Sequence, residues 1–479
     1  MSAPRFFNTL TKEKQEFTLA PGMKYVRMYN CGPTVYGRQH IGNLSMFVFT
    51  DILRKTLQYS GLTVKQTINI TDFGHLTSDA DEGEDKMLRG LKNEKLRPSM
   101  ANMKVLADKY TNIFFEDIRM LNIDVDPISF PRASEYIDAQ IAMIKTLEEK
   151  GYAYQTEDGV YYDTSRFPSY GVLGNLNFEG QQEGARVDPK TFKRNPTDFI
   201  LWKPSAKMGW DSPWGKGFPG WHIECSAMAR ATLGEQLDIH TGGIEHMPIH
   251  HNNEIAQSEA ATGKKPFSRF WLHRNHLQFE GGKLAKSTGN VVYISDVVGR
   301  GFHPLSFRYF LLGAHYRTQT NFTWEALSAA QTAYSKLIAL CEELKSHRIG
   351  TVPSVWKAKF TERIQDDLDT AGALAVVWEM VKDKNIEPAD LRVTLLYFDR
   401  VLGLQLGEPD EAAKKLAQTF STVELSSDEL PKNVRELMRL REEARAVKNW
   451  AHADAIRNEI TDLGFTLEDS IEGQKVFRR

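Results

Sequence analysis

Near its start the chain runs strand, glycine-bearing turn, helix, strand, and no other stretch limits the fold as much. Residues 24–30 alternate Tyr25, Arg27 and Tyr29 against Val26 and Met28, the period-two signature of a strand. Cys31-Gly32-Pro33-Thr34 supplies a turn. From residue 45 to residue 59 apolar side chains recur at Phe49, Ile52, Leu53 and Leu57, a helical spacing that stops at Gly61. Residues 62–70 form the next strand. A βαβ unit of this kind opens a doubly wound parallel sheet, so an α/β fold is expected.

The chain has 479 residues, too many for a single core. The middle, residues 122–216, is less regular and reads as an insertion, with a helix at 134–150 followed by short strands and turns. Strand-and-turn patterning resumes around 218–243. Residues 327–402 are helical, 407–432 form a polar linker, and 434–463 read as one last helix. A net charge of -2 without a polybasic tail neither demands nor excludes a nucleic-acid partner. Three cysteines cannot make a disulfide framework and point to a reducing compartment. With no apolar run long enough to span a bilayer and no signal-like start, a cytoplasmic protein without membrane association is expected.

Three groups of residues carry chemistry. Cys31, Cys225, His250 and Glu254 offer two sulfurs, an imidazole and a carboxylate, a complete shell for zinc. If residues 250–254 are helical, His250 and Glu254 share a face. His251, three residues from Glu254, competes with His250, and spacing alone does not choose between them. Cys341 sits on an apolar helical face and reads as a small buried hydrophobe. His40-Ile41-Gly42-Asn43 lies at the turn between strand and helix, where free N–H groups welcome an anion. Lys283-Leu284-Ala285-Lys286-Ser287, between glycines, places two lysines where they can swing onto a polyphosphate.

His40–Asn43 resembles the HIGH signature and Lys283–Ser287 the KMSKS signature of class I aminoacyl-tRNA synthetases, in that order. Asn30-Cys31-Gly32-Pro33-Thr34-Val35-Tyr36, the segments 220–228 and 250–258, and the tail from Lys448 to Asp469 are similar to the cysteinyl-tRNA synthetase family. The likeness runs from Phe7 to Arg479. It implies a Rossmann-type catalytic domain (1–121 and 217–275) carrying an inserted connective domain at 122–216. A stem-contact region at 276–326, a helical bundle at 327–406 and a linker with a small anticodon-binding domain at 407–479 follow.

The resemblance also implies roles. One Zn2+ per chain is held by Cys31, Cys225, His250 and Glu254, and selects a thiol over the alcohol of serine. Thr34, His40, Gly42, Asn43, Glu245, Lys283, Lys286 and Ser287 bind ATP with its Mg2+; His40, Asn43, Lys283 and Lys286 stabilise the reacting phosphorus. Cys31, Gly32, Thr71, Trp221 and His240 form the pocket for L-cysteine. Arg445, Trp450, Asp454 and Asp469 read the anticodon of tRNA(Cys), and a monomer is the family expectation. Asn43 stands where the wider class has histidine, and Leu284 and Ala285 replace Met and Ser. Two other readings stay open: a cysteine:amino-sugar ligase, which would lack a long anticodon-binding end, and a catalytically silent tRNA-binding paralogue.

Overall fold

The computed structural model describes residues 3–74, 85–174, 192–280, 282–283, 291–418, 430–447, 449–470 and 473–478. A hairpin, β1 (Arg5–Asn8) and β2 (Glu13–Glu16), precedes the expected unit of β3 (Val26–Asn30), α1 (Ile41–Tyr59) and β4 (Val64–Ile68). Next come α2 (Lys86–Asn93), α3 (Met100–Met120), β5 (Ile128–Ser129) and α4 (Ile137–Glu149). An antiparallel sheet of β6 (Ala153–Thr156), β7 (Gly159–Tyr162), β8 (Phe199–Pro204) and β9 (Gly217–Pro219) is inserted here. The chain then returns to the central sheet through α5 (Trp221–Leu233), β10 (Leu237–Gly243), α6 (His250–Thr262) and β11 (Ser268–Arg274).

The central sheet has five strands in the order β11-β10-β3-β4-β5, every neighbouring pair parallel. From β3 the chain steps outward to β4 and β5, then comes back to add β10 and β11 on the other side. The direction of winding therefore reverses between β3 and β10. In open parallel sheets that switch point opens a crevice at the carboxyl ends of the strands. Cys31 lies there, its N–H donating to the carbonyl of Thr241 at 3.1 Å.

Period two explains how the sheet is sandwiched. Met28, Phe270 and Leu272 pack on the α1 side with Phe49, Leu53 and Leu57, whereas Tyr29 and Trp271 face α5 and α6 with Ile223, Ala227 and Ile255. Beyond the sheet lie β12 (Leu277–Phe279), β13 (Gly282–Lys283) and β14 (Thr320–Phe322), with α7 (Ile294–Gly299) and α8 (Pro304–Leu312) between the last two. The helical part comprises α9 (Trp324–Glu343), α10 (Ser354–Gln365), α11 (Thr370–Lys382), α12 (Pro388–Leu402) and α13 (Glu411–Gln418). Cys341 is buried on α9. The chain closes with α14 (Lys432–Ala446), α15 (Trp450–Asp462) and an antiparallel pair, β15 (Phe465–Ser470) and β16 (Gly473–Arg478).

Four expectations need correction. Residues 218–243 are not only strands and turns: α5 occupies half of them. The helix expected from residue 45 begins at Ile41, because His40 caps it by accepting the Asn43 N–H at 3.2 Å. The polar linker holds α13. The last helix is two helices, since Asn449 starts a new one by accepting the His452 N–H at 3.3 Å.

Candidate metal centre and nucleotide cleft

Every residue of α6 from His250 to Ala261 is buried, although the run contains two histidines, two asparagines and two glutamates. Buried polar groups persist only with partners. The first turn of α6 finds them around one point. One sulfur each from Cys31 and Cys225, a ring nitrogen of His250 and a carboxylate oxygen of Glu254 all lie within 4.8 Å of one another. Their origins explain the convergence: Cys31 follows β3, Cys225 lies on α5, and the other two share a face of α6.

The donor set fits a tetrahedral metal. Zinc bonds of about 2.0–2.3 Å place ligand atoms about 3.3–3.8 Å apart, so small side-chain shifts close the shell. His250 Nε2 is 3.1 Å from Glu254 Oε1, and Cys31 Sγ is 3.8 Å from the same oxygen. His251 belongs to a second group, with Cys31, His240 and Glu254, which lacks Cys225. Its Nδ1 is engaged with His273 Nε2 at 2.8 Å and its Nε2 lies 3.3 Å from Cys31 Sγ. The set that contains both thiols thus takes its imidazole from His250.

The electrostatics are those of a site arranged around a cation. Burial opposes ionisation of Glu254, yet His240 and His250 outweigh it and hold the carboxyl down to about 2. Burial also works against a charged His250, but Glu254 and Cys225 push its pKa up to about 10. A hydrogen bond from Cys31, together with His250, lowers the Cys225 thiol to about 7. Cys31 itself is raised well above an ordinary thiol by burial and by Cys225. Burial drives His251 well down, and His273 down to about 3.

The proposed cysteine-pocket residues cluster here. The Trp221 ring lies 4.3 Å from that of His250. His240 Nε2 meets Glu254 Oε2 at 2.9 Å, which places it behind a candidate ligand. Thr71 Oγ1 donates to Glu224 at 2.9 Å, and the Gly32 N–H donates to Asn69 Oδ1 at 2.8 Å. A side chain at Gly32 would collide with the carbonyl of Asn69, so this position requires glycine.

The residues expected around ATP are placed as follows. His40, Gly42 and Asn43 form the start of α1, and Thr34 pairs in a parallel bridge with Thr71. Glu245 sits exposed in the turn just after β10, 3.6 Å from His276. The backbone of Lys283 lies in β13. Lys286 and Ser287 fall outside the described residues. At the far end, Arg445 is in the last turn of α14, while Trp450 and Asp454 lie one turn apart on α15. Trp450 is 57% exposed, which is uncommon for so large an apolar group. Asp469 is in β15.

Sequence reasoning missed three neighbours of the metal set. His222 Nδ1 is 2.8 Å from His250 Nδ1, which leaves Nε2 of His250 to face the ligand cluster. His273 backs His251, and buried Glu224 holds Thr71. His222 precedes Cys225 by three residues, a helical spacing that would have flagged it had 221–233 been recognised as a helix.

Comparison with known proteins decides the family. A model described as the tRNA synthetase class I (C) catalytic domain matches residues 19–332. The cysteinyl-tRNA ligase anticodon binding domain matches residues 427–478. The chain is 44% identical to cysteine–tRNA ligase 1 of Burkholderia lata, over 94% of this chain and 92% of that protein. The chain belongs to the cysteine–tRNA ligase family. To a cysteine–tRNA ligase of Thermus thermophilus it is 38% identical, over 98% of each chain. Mycobacterium tuberculosis methionyl-tRNA synthetase bound to methionyl-adenylate shares the fold, with TM-score 0.56 at 13% identity over 82% of this chain and 93% of that one. The match at 427–478 disfavours the amino-sugar ligase, which predicts no such end. Among the described residues no helix is long and apolar enough to cross a membrane.

Proposed function

We propose that this protein joins cysteine to tRNA(Cys) at the expense of ATP. The observation that carries the reading is the buried set of two cysteines, one histidine and one glutamate at the switch point of a class I catalytic domain. Cys31, Cys225, His250 and Glu254 would hold one Zn2+. Zinc bound there supplies a site that prefers a thiolate to an alcohol oxygen, and so favours cysteine over serine.

Around that point the chain's own residues position the reactants. His40, Gly42 and Asn43, at the positive end of α1, take the phosphates of ATP, with Thr34 and Glu245 nearby. Lys283, Lys286 and Ser287 neutralise charge as it moves to the leaving group, and Mg2+ accompanies the nucleotide. Gly32, Thr71, Trp221 and His240 hold the amino acid. Its carboxylate attacks the α-phosphate, forming cysteinyl-adenylate and releasing pyrophosphate. A hydroxyl of the terminal ribose of the tRNA then attacks the activated carbonyl, and AMP leaves. No protein nucleophile is needed; positioning and charge stabilisation carry the rate. Arg445, Trp450, Asp454 and Asp469 read the anticodon by stacking and edge contacts.

Charging of purified tRNA(Cys) with labelled cysteine tests the reading. Cysteine attached to tRNA in an ATP-dependent reaction is the expected result. Pyrophosphate exchange without charging would support the amino-sugar ligase, and no exchange at all would support the silent paralogue.

A further inference from the structure

We propose that Arg274 is a positioning residue for ATP, acting through Ser45 on the turn that takes the phosphates. This rests on the reading of residues 40–43 as part of the nucleotide site, and adds a group outside that motif. Along β11, Phe270, Leu272 and Arg274 lie on the α1 side, and Arg274 is the last residue of the strand. It therefore ends at the carboxyl edge of the sheet, beside the beginning of α1. There its Nε donates to Ser45 Oγ at 2.9 Å, and Ser45 Oγ donates to the carbonyl of Gly42 at 2.7 Å. Arg274 and Ser45 are only 6% and 1% exposed, so the relay is largely shielded from water. Gly42 lies between His40 and Asn43, and His40 Nδ1 accepts the Asn43 N–H at 3.2 Å. A shift of the Gly42 carbonyl would thus move both side chains expected on the phosphates.

The charge on Arg274 makes this more than a packing contact. Arg308, also buried against α1, is paired with Asp51 at 2.6 Å. Arg274 differs: among the described residues no acid offsets its burial, which draws the guanidinium down to about 10. A buried cation without an anion is costly, and the positive end of a helix adds to that cost. A neutral donor could hold Ser45 with far less penalty. An anion arriving at the start of α1 offsets both penalties, and the triphosphate is the anion this turn is read to take.

The test uses full-length, zinc-loaded protein, with ATP affinity read by calorimetry and kinetics by cysteine-dependent pyrophosphate exchange. Ser45→Ala breaks the relay and leaves the cation; Arg274→Met removes the bond and the charge together. Ser45→Ala should raise the Kd and the KM for ATP about fivefold, as for one lost buried hydrogen bond. Arg274→Met should raise them by about tenfold or more, and Arg274→Lys, which keeps a donor and the charge, should recover most of the loss. The KM for cysteine and the zinc content should stay at wild-type values in all three. Combining Ser45→Ala with Arg274→Met should be no worse than Arg274→Met alone, because both act on one relay. Additive losses would overturn the proposal, as would equal rises in the KM for ATP and for cysteine, the outcome of a general packing defect. Unchanged ATP affinity in Ser45→Ala, the mildest variant, would overturn it even if Arg274→Met does not fold. Failure of the wild-type protein to bind ATP would instead overturn the underlying nucleotide-site reading.

Discussion

Cys225 stands between two thiol environments: its own pKa is drawn down to about 7, while Cys31, next to it, is pushed well up. Before a metal can bind, Cys31 and the protonated His250 must each lose a proton. Metal uptake should therefore release protons, and apparent zinc affinity should rise with pH between about 6 and 9. A pH-independent affinity in a competition titration would contradict this. Cys225→Ser removes one sulfur from the set. Zinc content measured by atomic absorption should fall, and cysteine activation should weaken far more than ATP binding. Unchanged zinc stoichiometry would remove Cys225 from the shell. His222→Ala leaves all four ligands in place but frees Nδ1 of His250. Loss of such a ligand-orienting contact should weaken zinc binding by about 10–100-fold, read by chelator competition.

At the scale of elements, the contrast between α1 and α5 shows what was legible. The α1 apolar residues recur at helical spacing, and its glycine stop is in the sequence, so only its first turn was missed. By contrast α5 is buried on nearly every side, from His222 to Ala229, and such a helix has no polar face to alternate with an apolar one. The pattern that identifies helices was absent, and with it went His222 and Glu224. The α14–α15 elbow failed for another reason. Apolar residues recur on both sides of the elbow, at Val447 and again at Trp450 and Ala451, while the Asn449 cap that breaks the run depends on a local hydrogen bond. That elbow exposes Trp450 beside Asp454 and close in sequence to Arg445. Trp450→Ala should raise the KM for tRNA by about tenfold, as expected for one lost stacking partner, with pyrophosphate exchange intact. Impaired exchange in this variant would assign Trp450 a packing role instead.

Across the whole molecule, the catalytic sheet and the helical part are joined by charge as well as by apolar packing. Fully buried Arg308 on α8 donates to Asp51 of α1 at 2.6 Å and to the carbonyls of Leu402 and Leu121 at 2.7 and 2.9 Å. Arg54 and Lys55 also contact Asp51, each at 2.8 Å. Burial opposes ionisation of Asp51, but Lys55, Arg308 and Arg54 hold its carboxyl well below the usual range. Its contribution to stability is therefore present above the unfolded value near ~4 and is lost as pH falls below it. Asp51→Asn leaves buried cations unpaired and should cost about 3–5 kcal/mol in urea unfolding. A change within experimental error would show that the cations find other partners. No sequence pattern announced this junction, because its partners come from four distant segments. The metal set is equally dispersed, over 31, 225, 250 and 254, but each of its residues sits in a local motif, which made it legible. Holding zinc, this set would select the thiol-bearing amino acid, whose carboxylate is then adenylated. Cysteine-dependent ATP–pyrophosphate exchange by the zinc-loaded protein, with serine as the control, tests it most directly. Exchange with cysteine and none above background with serine is the predicted result; comparable exchange with both amino acids, or none with cysteine, would contradict it.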